Sequence, residues 1–199
     1  MQGFYFITDD ALSVNGSISD VKAAVKAGVK FIQYRSKNQS VRNMYRQARE
    51  LKQTAKGSIF IVNDRIDIAL AVGADGVHLG QDDMPCDLAR KILGPDKIIG
   101  ISIHNKEQAL LALKQGANYI GIGAIFPTNT KSDADVLGLE MIEQVAKIVS
   151  LPIVAIGGIN LGNVKQVKAA GADAVCAISS VVTKQDVAME ISKFQELLK

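Results

Sequence analysis

Apolar, β-branched runs alternate along the whole chain with stretches of helical period. The runs predict strands at Gly3–Thr8, Lys30–Arg35, Ser58–Asn63, Gly76–Gly80, Lys97–Ser102, Tyr119–Gly123, Pro152–Gly157 and Ala174–Ile178. Helical patterns fall between them at Ile18–Ala27, Val41–Ala55, Asp87–Leu93, Lys106–Gln115, Leu139–Val149, Leu161–Ala169 and Gln185–Leu198. Most of these end in Gly or Lys, as helix C-termini do. The strand segments are nearly continuous hydrophobic runs rather than in–out alternations. Strands covered on both faces look like this, which favours a parallel sheet.

A repeat strengthens the pattern. Ala27-Gly-Val-Lys-Phe-Ile32, Gly73-Ala-Asp-Gly-Val-His-Leu79, Gly116-Ala-Asn-Tyr-Ile-Gly-Ile122 and Gly171-Ala-Asp-Ala-Val-Cys-Ala177 each place a helix-ending Gly before an even-numbered strand, at intervals of about 45, 43 and 55 residues. Eight quasi-symmetric strand–helix units predict an α/β fold, a single-domain (β/α)8 TIM barrel over residues 1–199, in preference to an open doubly wound sheet.

Composition agrees with one core: 199 residues, 48% hydrophobic, give each unit about 25 residues, near the minimum for such a barrel. Function must then sit in short loops. A balance of 23 Lys+Arg against 20 Asp+Glu is too weak to argue for nucleic acid, and no basic run is present. No apolar stretch approaches the ~18 residues a membrane span needs, and the N-terminal segment lacks the pattern of a signal peptide. Cys86 and Cys176 have no metal or redox spacing, so free thiols in a reducing cytoplasm are expected. Monomer and homodimer are both open.

In barrels of this kind the chemistry sits at the C-terminal strand ends. The polar residues here gather at those ends, and two anion sites can be read from them. At strands 7 and 8, Gly157-Gly158 and Ile178-Ser179-Ser180 each lead into a helix, where glycine permits close backbone approach and helix N–H groups hold phosphate. At strands 2, 3, 4 and 6, Arg35 and Lys37 project to one side of an extended segment, and Lys131 follows a hydroxyl-rich Pro-Thr-x-Thr loop. Asp64 and Asp83, with Asn63 nearby, supply oxygen ligands suited to Mg²⁺. Cations facing a diphosphate and carboxylates facing its metal make one coherent leaving-group site.

Other chemistries fit less well. His78 and His104 have no partners at zinc spacing and are expected as structural histidines hydrogen-bonded at the barrel top. There is no G-x-S-x-G elbow, and Gly121-Ile-Gly123 lacks the spacing of a dinucleotide fingerprint. The Met and aromatic residues are expected as core filler.

Gln33-Tyr-Arg35-Ser-Lys37, Asn63-Asp64-Arg65-Ile-Asp67, His78-Leu-Gly-Gln-Asp-Asp83, Gly100-Ile-Ser102-Ile-His104, Pro127-Thr128-Asn-Thr130-Lys131, Ala155-Ile-Gly-Gly158-Ile and Ile178-Ser179 follow one another along essentially the whole chain. In that order they resemble the thiamin-phosphate synthase family. The resemblance implies a transferase that joins 4-amino-5-hydroxymethyl-2-methylpyrimidine diphosphate to a thiazole phosphate or its carboxylate, with Mg²⁺ as cofactor and thiamin phosphate and diphosphate as products. It implies Asp64 and Asp83 as metal ligands, and Arg35, Lys37, Asn63, Ser102 and Lys131 as the diphosphate site, with Arg35, Lys37, Ser102 and Lys131 catalytic. It further implies that Gln33 would face the pyrimidine, that Thr128 and Thr130 would meet the thiazole carboxylate or the diphosphate, and that Gly158, Ile178 and Ser179 would grip the thiazole phosphate. The polar segment Lys131–Leu137 is expected as a lid.

Two departures stand out. The first strand begins almost at Met1, where relatives commonly carry extra residues, and position 124 is Ala where many synthases have Pro. A sister group of thiazole tautomerases has His at that position and a degraded P-T-x-T-K loop. Here the histidine is absent and the loop intact, which favours the synthase. A non-catalytic ligand-binding barrel predicts decay of the metal and diphosphate residues, and none is missing.

Overall fold

A computed structural model of the chain describes residues 1–128, 130 and 135–199. Eight strands close in the order β1-β2-β3-β4-β5-β6-β7-β8, every neighbouring pair parallel. They are β1 (Gly3–Ile7), β2 (Phe31–Tyr34), β3 (Ile59–Asn63), β4 (Gly76–Leu79), β5 (Ile98–Ile103), β6 (Tyr119–Ile122), β7 (Ile153–Ile156) and β8 (Ala174–Cys176). Seven lie inside the predicted segments, and β5 runs one residue past its predicted end, to Ile103. The helices among the described residues are α1 (Ser17–Lys26), α2 (Val41–Thr54), α3 (Ile66–Ala71), α4 (Cys86–Leu93), α5 (Lys106–Lys114), α6 (Gly138–Ala146), α7 (Val164–Ala169), α8 (Ile178–Val182) and α9 (Val187–Leu197). No helix among the described residues is long and apolar enough to cross a membrane.

Local chemistry sets the element ends. Ser40, Asn105 and Asp186 cap α2, α5 and α9 by accepting hydrogen bonds from the N–H groups of Asn43, Gln108 and Met189. The four repeat glycines, Gly28, Gly73, Gly116 and Gly171, all have positive φ, so each is the left-handed stop that turns a helix toward the next strand.

Two apolar layers result. The larger lies between the sheet and the helix ring, where Val21, Leu51, Val77, Ile99, Ile142 and Val167 are fully enclosed. The smaller fills the lumen with Tyr5, Ile7, Tyr119, Val154, Ala174 and Cys176. A sheet covered on both faces explains why the strands lack in–out alternation.

The structure corrects three expectations. Ile178, expected to end the last strand, instead opens α8 after β8 stops at Cys176. A short apolar run reads alike as buried strand or buried helix. The helix expected from Leu161 starts at Val164, because Asn160 forms a side-chain turn by accepting from the Gly162 N–H at 2.8 Å while Asn163 accepts from the Asn160 N–H at 2.8 Å. Finally, α3 is absent from the predicted helices, since six residues carry too little periodicity to register.

Candidate active site

The C-terminal strand ends surround a cavity of about 360 Å³, within the range of small-molecule sites. Of the expected site residues, Gln33, Arg35, Lys37, Asn63, Asp64, Asp83, Ser102, Thr128, Thr130, Gly158, Ile178 and Ser179 all line it. Lys131 and the first part of the expected lid, 131–134, lie outside the described residues. From 135 onward the chain runs into α6, with the Leu137 N–H bonded to the Ala124 carbonyl at 2.8 Å.

On the β2 side, the main chain of Arg35 is pinned to the end of β1, its N–H donating to Thr8 Oγ1 at 3.0 Å. The guanidinium is held by Asp9, Nη1 to Oδ2 at 3.1 Å. Asp9 is buried and its other oxygen accepts from the Ala11 and Leu12 N–H groups, so it is a fixed post. Lys37, two residues on, is exposed at the rim.

Across β3 and β4, Asp64 has the left-handed backbone φ of 61°, and its N–H donates to the His78 carbonyl at 2.8 Å. That conformation is uncommon outside glycine and is tolerated by Asp. Asp83 folds back so that its Oδ2 accepts from the Gly80 N–H at 2.7 Å. The two carboxyl groups come within hydrogen-bonding reach of each other. Burial, and then the facing Asp83, push the Asp64 carboxyl up to about 6, with Lys37 and Arg35 pulling the other way. Two carboxylates crowded beneath two cations fit a hard divalent ion such as Mg²⁺, which takes one or two carboxylates and completes its shell with water and phosphate oxygens. No cluster of three or more acidic, His or Cys side chains stands among the described residues as an all-protein cage.

On β4 and β5, the His78 ring is engaged at both nitrogens, Nδ1 with the Tyr119 hydroxyl and Nε2 with Ser102 Oγ, each at 2.9 Å. Burial depresses its basicity to about 4, so it is neutral near pH 7. His78 is therefore the hydrogen-bonded histidine expected at the barrel top. His104 is not: it is exposed on the cavity rim, and its ring has no hydrogen-bond partner among the described residues.

The β7–β8 side is built from backbone. Gly157 and Gly158 both have positive φ, at 98° and 65°, and a Cβ on Gly158 would lie 2.6 Å from Phe126 Cβ and Pro127 O. Ile178 and Ser179 form the first turn of α8, whose N–H groups have no acceptor inside their own helix. In the closed order, β7 and β8 stand across the lumen from β3 and β4.

A family model described as thiamine monophosphate synthase matches residues 4–181. The chain belongs to this family. A thiamine-phosphate synthase from Methanosarcina barkeri is 50% identical over 98% of this chain and 90% of its own length. One from Clostridium perfringens is 40% identical over 98% of this chain and 95% of its own. A thiamine phosphate pyrophosphorylase from Pyrococcus furiosus superposes with a TM-score of 0.91 at 40% identity, covering 98% and 95% of the two chains. With these relatives, the chain is an enzyme of the transferase class in thiamine biosynthesis.

Two residues of the cavity were not singled out from the sequence. Tyr5 and Tyr119, expected as core filler, are buried yet joined hydroxyl to hydroxyl at 2.8 Å, and Gln33 Nε2 donates to the Tyr5 oxygen at 3.0 Å. Their partners lie across the lumen, out of reach of periodicity. The available signal was glycine inside strands: a Cβ on Gly100 would sit 2.1 Å from Tyr119 Cζ, and one on Gly121 3.0 Å from His78 Cε1. Asp9 likewise has no assigned role in the sequence reading, although it holds Arg35.

Proposed function

We propose that the protein is a Mg²⁺-dependent thiamin-phosphate synthase, condensing 4-amino-5-hydroxymethyl-2-methylpyrimidine diphosphate with the thiazole phosphate or its carboxylate. The observation that carries this reading is the two-sided cavity: Arg35, Lys37, Asp64, Asp83 and Ser102 on one side, and Gly158, Ile178 and Ser179 on the other. One side suits a metal-bound diphosphate, the other a monophosphate held by backbone N–H groups.

The chemistry then needs no protein nucleophile. Ionisation of the pyrimidine methylene–oxygen bond is helped by the ring amino group, and the chain's task is to neutralise charge growing on the departing diphosphate. Arg35, fixed by Asp9, is already aimed before the ligand arrives, so little reorganisation accompanies the step. Lys37 and Lys131 add positive charge, and Asn63 and Ser102 add hydrogen bonds. Asp64 and Asp83 would hold Mg²⁺, which would supply Lewis-acid stabilisation to the departing diphosphate. Gly158, Ile178 and Ser179 hold the thiazole phosphate so that its ring nitrogen stands beside the pyrimidine cation, an entropic advantage. Thr128 and Thr130 border this space, and Thr128 Oγ1 accepts from the Thr130 N–H at 3.2 Å. Exclusion of water protects the cation.

Purified protein, Mg²⁺ and both substrates should give thiamin phosphate, detected by conversion to a fluorescent thiochrome. Absence of product with either thiazole form, together with isomerisation of the thiazole carboxylate, would assign the protein to the tautomerases instead.

A further inference from the structure

Five side chains from five strands make an unbroken chain across the lumen. Gln33 Nε2 meets the Tyr5 hydroxyl at 3.0 Å, Tyr5 meets the Tyr119 hydroxyl at 2.8 Å, Tyr119 meets His78 Nδ1 at 2.9 Å, and His78 Nε2 meets Ser102 Oγ at 2.9 Å. Both ends, Gln33 and Ser102, open on the cavity. We propose that these residues form one polarised chain that fixes Gln33 as an acceptor and Ser102 as a donor toward the cavity, and so selects a ligand with an N–H donor at one end and an oxyanion at the other.

The direction follows by counting protons. The amide nitrogen of Gln33 can only donate, so the Tyr5 oxygen accepts and its single proton goes to Tyr119. Tyr119 in turn gives its proton to His78 Nδ1. A neutral imidazole has one donor and one acceptor, so with Nδ1 accepting, Nε2 carries the hydrogen and donates to Ser102 Oγ. The Ser102 proton is then free for the ligand. At the far end, Gln33 Oε1 has no partner among the described residues. Its opposite, with the amide turned over, reverses every bond: Gln33 would offer N–H and Ser102 a lone pair, which repels an oxyanion. The two ends are thus set together. A chain that starts at the Gln33 amide nitrogen leaves His78 Nδ1 only the accepting role, so the ring within it carries a single hydrogen.

Glycine makes the chain possible. Side chains at positions 100 and 121 would collide with Tyr119 and His78, so two strands give up a Cβ to seat these rings. Tyr5, Tyr119 and His78 are positioning residues, acting through Gln33 and Ser102. On the function proposed above, Gln33 Oε1 meets the pyrimidine amino group and Ser102 the diphosphate. The chain's direction is a property of the ligand-free protein and stands apart from that assignment.

Imidazole nitrogen NMR on ¹⁵N-histidine protein tests the direction directly, because the chain has only two histidines and His104→Asn separates them. At pH 7 the His78 ring is expected as the neutral Nε2–H tautomer, and in Tyr119→Phe the fixed tautomer is expected to give way to a mixture. An Nδ1–H tautomer in the wild type overturns the proposal, as does a Tyr119→Phe spectrum unchanged from it. If Tyr119→Phe fails to fold, the wild-type tautomer alone decides. Tyr5→Phe adds a kinetic arm: it should raise the KM for the aminopyrimidine diphosphate about tenfold, leaving that of the thiazole phosphate within about twofold. An equal rise in both marks general loosening and overturns the selecting role.

Discussion

The wall of the cavity formed by β2–β5 presents charged side chains, whereas the wall formed by β7 and β8 presents main chain. Arg35, Lys37, Asp64 and Asp83 each carry a group that a single substitution deletes. Gly158, Ile178 and Ser179 carry backbone N–H groups, which survive truncation of any side chain. On the proposed function, the first wall concentrates charge where charge develops during the reaction. On the same proposal, the second needs only to hold an anion whose charge does not change, and peptide groups can do this without long cationic side chains to order.

This contrast can be broken at the charged wall first. Arg35→Ala should lower kcat/KM by ~10²–10³-fold in steady-state assays with the fold retained by circular dichroism. Lys131→Ala should act in the same direction, and near-normal rates in both would remove the diphosphate assignment. At the backbone wall, only an added Cβ should be severe. Gly158→Ala places that carbon 2.6 Å from Phe126 and Pro127 at a φ of 65°. The KM for the thiazole phosphate should rise by ~10-fold or more, while that for the pyrimidine diphosphate changes little.

A pH series sharpens the metal half of the comparison. The raised Asp64 pKa means that, without metal, this group's stabilising contribution is fully present below its unfolded value near 3.8 and is lost as pH rises through about 6. A divalent ion must displace that proton. Mg²⁺ should therefore raise the melting temperature more at pH 7.5 than at pH 5, and its affinity by calorimetry should fall up to about tenfold per pH unit below 6. A Mg²⁺ shift independent of pH would detach the metal from this pair. The smallest effect belongs to Ser179→Ala, expected to change the thiazole phosphate KM by less than about threefold because the N–H remains.

How far the sequence revealed these walls depends on where their information is stored. All eight strands were legible, since a parallel strand covered on both faces is written as a local apolar run. The loop residues of both walls were legible for the same reason: they follow their strands directly, so locating Ile59–Asn63 also locates Asp64. What stayed hidden was stored across the barrel. Tyr5 and Tyr119 are 114 residues apart, and nothing local distinguishes a hydroxyl used in a chain from one on a filler ring. Asp9 and Arg35, 26 apart, meet only because β1 and β2 pair in register. Helix α3 and the shift of Ile178 into α8 failed for want of length, since five or six residues barely exceed one helical turn.

The space left at Gly100 has a consequence for altering the enzyme. The Tyr119 ring occupies the volume that a side chain at position 100 would fill, so the two positions share one allotment of lumen between adjacent strands. Removing the hydroxyl alone would not free it, because the ring carbons themselves stand within 2.4 Å of that Cβ. Libraries that vary one position at a time should thus find Gly100 immovable. Libraries that vary 100 and 119 together can trade bulk between the strands and reshape the floor of the cavity.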